Sequence, residues 1–173
     1  MNVLEKFLPV TTVILDMDGV LTDGSLLITP DGEWVRKMNI KDGYILQLAV
    51  KKGYRVMVIT GSSSTAVEKR LNRLGINMVY QNVKDKMMLL KTLMAEHAFS
   101  SVETLYMGDD IPDLDVMKFC GLSCCPADSS RDILAIADYI SPVKGGEGCV
   151  RDVLEKLMRV QGKWQHSVDI SST

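Results

Sequence analysis

Asp16 and Asp18 follow a short apolar run and precede a glycine turn in the segment VILDMDGVLTDG. Side chains on a strand alternate between faces, so a chain that turns at once can bend both carboxylates toward one ligand. Two carboxylates held that close repel each other unless a cation sits between them. The pair therefore predicts a site for a hard metal ion and a nucleophile.

Comparable groups recur later in the chain at the ends of apolar runs. Thr60-Gly61 closes the run YRVMVIT, Gly108-Asp109-Asp110 closes TLYM, and Lys86 opens a helical stretch. Carboxylates, one hydroxyl, one ammonium and free N–H groups at turns form an inventory suited to a phosphoryl group bound with Mg²⁺. Each piece alone has a plainer reading. A D-x-D-G can be an ordinary loop, Lys86 a solvated helix residue, and Asp110 a helix N-cap. Their order and their placement at successive strand ends carry the information. No histidine base is required, and His97 and His166 are expected to be structural or solvated.

The elements that must position these groups are legible as alternating short apolar runs and helical patterns. Residues 10–15 read as the first strand. SLLIT and EWVRKM flank Pro30-Asp31-Gly32 and read as a β-hairpin spanning about 25–38. Residues 42–52 form an amphipathic helix with Ile45, Leu48 and Ala49 on its inner face, stopped by Gly53. After the strand 54–60, Thr65-x-x-Glu68 fits a capping box opening a helix that Gly75 closes. Strand INMVY, a helix over 84–97, strand TLYM and a helix from Pro112 to Gly121 follow. Then come strand LSCC, a helix over 130–137, strand DYIS, a glycine loop at 145–148 and a last helix over 149–161. This alternation predicts an α/β fold: a three-layer, Rossmann-like parallel sheet with helices on both faces and a hairpin inserted after strand one, and the gaps between its elements are too short to house a cap domain. One domain is expected over 1–173, with its core at about 10–161 and a polar, loose tail at 162–173. Ligands of such sheets bind at the carboxyl ends of the strands.

Composition narrows the function classes. The apolar share of 46% and charged share of 24% are those of a soluble globular protein. A net charge of −2 and a pI near 5.7 leave no basic field for nucleic acid or an anionic membrane. Nothing resembles a signal peptide or a membrane-spanning run, so a cytoplasmic location is expected. Cys120, Cys124, Cys125 and Cys149 lack C-x-x-C spacing and read as buried free thiols.

The succession DxDG(V/T), (I/V)TG, Lys, GDDxxD resembles the haloacid dehalogenase superfamily of phosphohydrolases over almost the whole chain. The resemblance implies that Asp16 is the nucleophile that becomes an aspartyl phosphate, and that Asp18 protonates the leaving alkoxide and later activates water. It implies Mg²⁺ held by Asp16, the backbone carbonyl of Asp18, and Asp109. Thr60, Lys86 and N–H groups near Met17 and Gly61 would grip the phosphoryl oxygens. Asp110 and Asp113 would orient Lys86 or metal-bound water. For its acid role Asp18 is expected to have a pKa raised by neighbouring carboxylates.

GVLTDG, the hairpin, residues 39–44, the helix containing Arg70, GDDIPD, GG-x-G and Gln161-Gly162-Lys163 resemble the 3-deoxy-D-manno-octulosonate 8-phosphate phosphatases of lipopolysaccharide precursor synthesis. That implies a sugar acid phosphate as substrate and a homotetramer with hairpins at the interface, whose C-terminal segments can reach a neighbour's site. Asp18, Gly61, Asn39, Lys41, Asp42 and Arg70 are the implied substrate-binding residues. Plainer roles stand beside these: 39–44 as a helix cap, Trp34 and Val35 as oligomer packing, Arg70 as a surface residue. Ser62 departs from the Arg or Gly frequent in the octulosonate enzymes and from the Glu of the nonulosonate 9-phosphate enzymes. A nine-carbon sugar acid is the alternative substrate. A receiver-like or catalytically silent module is the remote alternative.

Overall fold

The structure, a computed structural model, describes residues 2–166 and 169–170. Six parallel strands form one sheet: β1 (Thr12–Leu15), β4 (Arg55–Ile59), β5 (Met78–Tyr80), β6 (Thr104–Met107), β7 (Leu122–Cys125) and β8 (Tyr139–Ile140). Their spatial order is β5-β4-β1-β6-β7-β8, so the chain builds outward from β1 on one side and then restarts at β6 on the other. The gap between the carboxyl ends of β1 and β6 is thus the topological switch point, where open α/β sheets bind ligands.

Both faces of the sheet are covered, as its continuous apolar strands require. Val13, Leu15, Val56, Val58, Leu105 and Met107 face a core closed by α2 (Ile40–Lys51), α3 (Thr65–Arg73) and α7 (Cys149–Val160). The alternate residues Ile14, Met57, Ile59 and Tyr106 face a second core closed by α4 (Lys86–His97), α5 (Leu114–Phe119) and α6 (Arg131–Ile136). Ile45, Leu48, Ala49 and all four cysteines are buried. An additional short helix, α1 (Val3–Phe7), packs Phe7 into the first core. Among the described residues no helix is long and apolar enough to cross a membrane.

Three local expectations need correction. The hairpin is real, but its strands β2 (Leu27–Ile28) and β3 (Trp34–Val35) are two residues each. All four of these side chains are exposed, so no core extends the ladder. The N-cap of α3 is Ser64, whose Oγ accepts from the Val67 N–H at 3.3 Å, and the expected Thr65-x-x-Glu68 box does not form. Glu68 instead accepts from Gln81 Nε2 at 2.9 Å. Of the tail expected to be loose over 162–173, the described residues 162–166 and 169–170 lie against α2 and α7, and the rest of that expectation falls outside the described residues. Trp164 stacks 4.9 Å from the Arg151 guanidinium, His166 Nδ1 meets Tyr44 Oη at 2.6 Å, and Ile170 is buried.

Candidate active site

β1 delivers Asp16 to the switch point, and the Asp16 N–H donates to the Met107 carbonyl of β6 at 2.9 Å. The chain then turns through residues 17–21, with Gly19 at a φ of +87°. That backbone region suits glycine, and a Cβ there would lie 2.0 Å from Asp109 Oδ2. Gly19 is therefore what lets the carboxylate after β6 close against the turn after β1. From the far side Gly145 packs just as closely, since its Cβ would fall 1.9 Å from the Gly19 carbonyl. The glycine loop thus braces the turn.

Lys86, only 6% exposed, extends from the first residue of α4 into this cluster. Its Nζ lies 2.7 Å from Asp113 Oδ1 and 2.9 Å from Asp16 Oδ1. Asp113, 1% exposed, also accepts from Tyr106 Oη at 2.8 Å and, through Oδ2, from the Asp109 N–H at 3.2 Å. Its oxygens are engaged on every side, so it orients Lys86 and the Asp109 loop. Asp16 Oδ1 is buried, and the lysine approaches it off the angle of a hydrogen bond, leaving that oxygen without a directed donor.

One ammonium among these carboxylates is too little positive charge. Burial, reinforced by the charge of Asp113, pushes the Asp16 carboxyl up to about 6 against the pull of Lys86. Burial and the charges of Asp16, Asp113 and Asp110 push Asp109 up to about 7. Burial would lower the Lys86 ammonium, but Asp16 and Asp113 raise it on balance. Oxygens of Asp16, Asp109 and Asp113 lie within 4.8 Å of one another. An unsatisfied buried oxygen, hard carboxylate donors and a charge deficit fit a divalent cation between Asp16 and Asp109.

Asp18 behaves otherwise than expected. Burial pushes its pKa up, but hydrogen bonds from Arg36 and Ser62 outweigh burial and hold it below the usual carboxylate range. Arg36 Nε donates to Oδ1 at 2.7 Å and Nη2 to Oδ2 at 3.1 Å. Ser62 Oγ donates to Oδ2 at 2.6 Å and Thr22 Oγ1 to Oδ1 at 3.3 Å. Neighbouring carboxylates do not control this group, because a guanidinium faces it directly.

A cavity of about 450 Å³ opens over the strand ends, lined by Asp16, Asp18, Thr60, Lys86, Asp109 and Asp110 among others. Gly61 and Ser62 lie on its rim, and the buried Thr60 faces Ser62, with 3.2 Å between their hydroxyl oxygens. Asn39, Lys41 and Asp42 do not line it. Asn39 caps α2 by accepting from the Lys41 N–H at 2.8 Å. Asp42 is buried under α7, accepts from the Arg151 N–H at 2.7 Å and is pushed by burial up to about 6. Arg70 lines a second, larger cavity of about 690 Å³ between the hairpin and the start of α3, together with Trp34 and Arg36. Sequence reasoning missed Arg36, whose fold-back onto Asp18 has no spacing signal. It also missed Tyr106, which strand alternation could have placed toward Asp113.

The pattern of a haloacid dehalogenase-like hydrolase matches residues 76–153. The 3-deoxy-D-manno-octulosonate 8-phosphate phosphatase of Escherichia coli K12 is 36% identical over 94% of this chain and 86% of its own. A crystal structure of the Moraxella catarrhalis phosphatase of that name, in complex with a magnesium ion, a phosphate ion and KDO, superposes with a TM-score of 0.91. It is 30% identical, over 94% of this chain and 93% of that one. The cobalt-bound Haemophilus influenzae deoxy-D-mannose-octulosonate 8-phosphate phosphatase gives 0.87 at 30% identity, over 91% and 92%.

Proposed function

Because this chain belongs to the haloacid dehalogenase-like hydrolases, and within them to the 3-deoxy-D-manno-octulosonate 8-phosphate phosphatases, we propose that it is a Mg²⁺-dependent phosphatase hydrolysing that sugar acid phosphate. The observation that carries this reading is the buried Asp16–Lys86–Asp113 chain beside Asp109 at the switch point, with Asp16 Oδ1 left unsatisfied.

Asp16, Asp109 and the backbone carbonyl of Asp18 would hold the metal, which neutralises phosphoryl charge when bound. The Asp16 carboxylate attacks phosphorus, the bond from phosphorus to the sugar oxygen breaks, and an aspartyl phosphate forms. Asp18 gives the leaving alkoxide a proton, which the ionised resting carboxyl must first acquire. Water, deprotonated by Asp18, then attacks phosphorus and restores Asp16. Lys86, fixed by Asp113, and Thr60 hold the phosphoryl oxygens. The exposed Leu27, Ile28, Trp34 and Val35 of the hairpin support assembly as a homotetramer.

A panel of sugar acid phosphates, neutral sugar phosphates and p-nitrophenyl phosphate, assayed with and without Mg²⁺, tests this. The octulosonate 8-phosphate should be turned over best and only with metal, and Asp16→Asn should lose at least about 1,000-fold in kcat. Retained turnover in Asp16→Asn would sink the covalent route. A preference for a nine-carbon acid phosphate would reassign the substrate.

A further inference from the structure

Arg36 is an unusual residue for a hairpin that otherwise points into solvent. Its side chain is only 1% exposed, and its fork grips both oxygens of Asp18, whose own side chain is 30% exposed. With Ser62 on Oδ2 and Thr22 on Oδ1, neither oxygen of Asp18 is free to face a leaving group. A desolvated guanidinium is tolerated only while a planar anion fills its fork. The pair faces two spaces: Asp18 lines the cavity over the strand ends, and Arg36 lines the larger cavity beside Trp34 and Arg70.

We propose that Arg36 selects phosphate esters bearing a carboxylate: the free enzyme parks its guanidinium on Asp18, and the substrate's carboxylate takes it over. The guanidinium turns from one planar carboxylate to another that enters the larger cavity it lines, so the cation never stands alone. A neutral or aryl phosphate offers no replacement, and its binding leaves Asp18 still gripped. The carboxylate thus acts on turnover as well as on binding, since it frees the oxygens that serve the leaving group. This rests on the reading of Asp18 as acid and base given above.

Arg36→Ala and Arg36→Lys, checked for native melting temperature, separate the roles on octulosonate 8-phosphate and on p-nitrophenyl phosphate. The alanine variant should lose about 100-fold in kcat/KM on the acid phosphate through a raised KM, with kcat held because Asp18 is already released, and gain in kcat on the aryl ester. The lysine variant, which keeps a cation without the fork, should fall between it and the native enzyme and serves in its place if the alanine variant does not fold. An equal loss on both substrates would show that Arg36 merely positions Asp18 and would overturn the hand-over, as would a preference for the acid phosphate that survives both substitutions. A native enzyme that cleaves the aryl ester yet shows no preference for any sugar acid phosphate would overturn the substrate assignment itself, and the hand-over with it.

Discussion

Asp16, Asp109 and Asp113 share a single ammonium, and the two that are not saturated by donors answer by holding protons well above the ordinary carboxyl range. Their folded pKa values, about 6 and about 7, exceed the unfolded value of 3.8. The metal-free native state therefore keeps protons that the unfolded chain has released, and stability falls as pH rises from about 4 through about 7. Asp109→Asn removes one of the repelling charges. Without metal at pH 8 it should raise stability by about 1–2 kcal/mol, allowing for water at the rim, or about 2–5 °C in Tm. The gain should shrink toward pH 5, and added Mg²⁺ should stabilise the native protein but not the variant. Thermal melts at both pH values with and without the ion check all three. These carboxylates and Lys86 are legible in the sequence because each stands one or two residues beyond a strand or at the start of a helix. The state of Asp18 is not, because its partner comes from a hairpin whose fold-back leaves no periodic trace.

At the level of elements, strand and helix order can be read from hydrophobic alternation, while boundaries depend on which polar group reaches which backbone atom. The start of α3 shows this. Ser64 and Thr65 both suit an N-cap, and a Glu three residues beyond Thr65 favours the later position. What decides is Gln81, after β5, which donates to Glu68 and removes the partner that a capping box needs. Ser64→Ala should therefore cost about 1 kcal/mol, and Thr65→Ala a few tenths at most, in urea unfolding. The same reasoning explains residues 39–42. Their polar side chains look like substrate ligands in sequence, yet within this chain Asn39 caps α2 and Asp42 ties α2 to α7. The hairpin marks the opposite case: its turn tripeptide is unambiguous, but its ladder is short because nothing packs against either side.

For the molecule as a whole, the order β5-β4-β1-β6-β7-β8 gathers groups from distant parts of the chain around one gap. Parallel strands with helical crossovers are legible as a class; the side on which β6 joins is not, because no local pattern encodes it. The exposed apolar hairpin is expected to be covered by other copies. Replacing Leu27 and Ile28 together by Glu should shift sedimentation from tetramer to smaller species, with the monomer's melting behaviour retained. A chain that sediments as a monomer before substitution would refute the assembly. Beneath the turn that carries Asp18, the buried thiol of Cys149 donates to the Val20 carbonyl at 3.3 Å. Burial raises its pKa well out of the reactive range. An alkylating reagent can reach that sulfur only when the turn lifts from the start of α7, so its rate of labelling is a clock built into the chain, counting how often the resting site comes open.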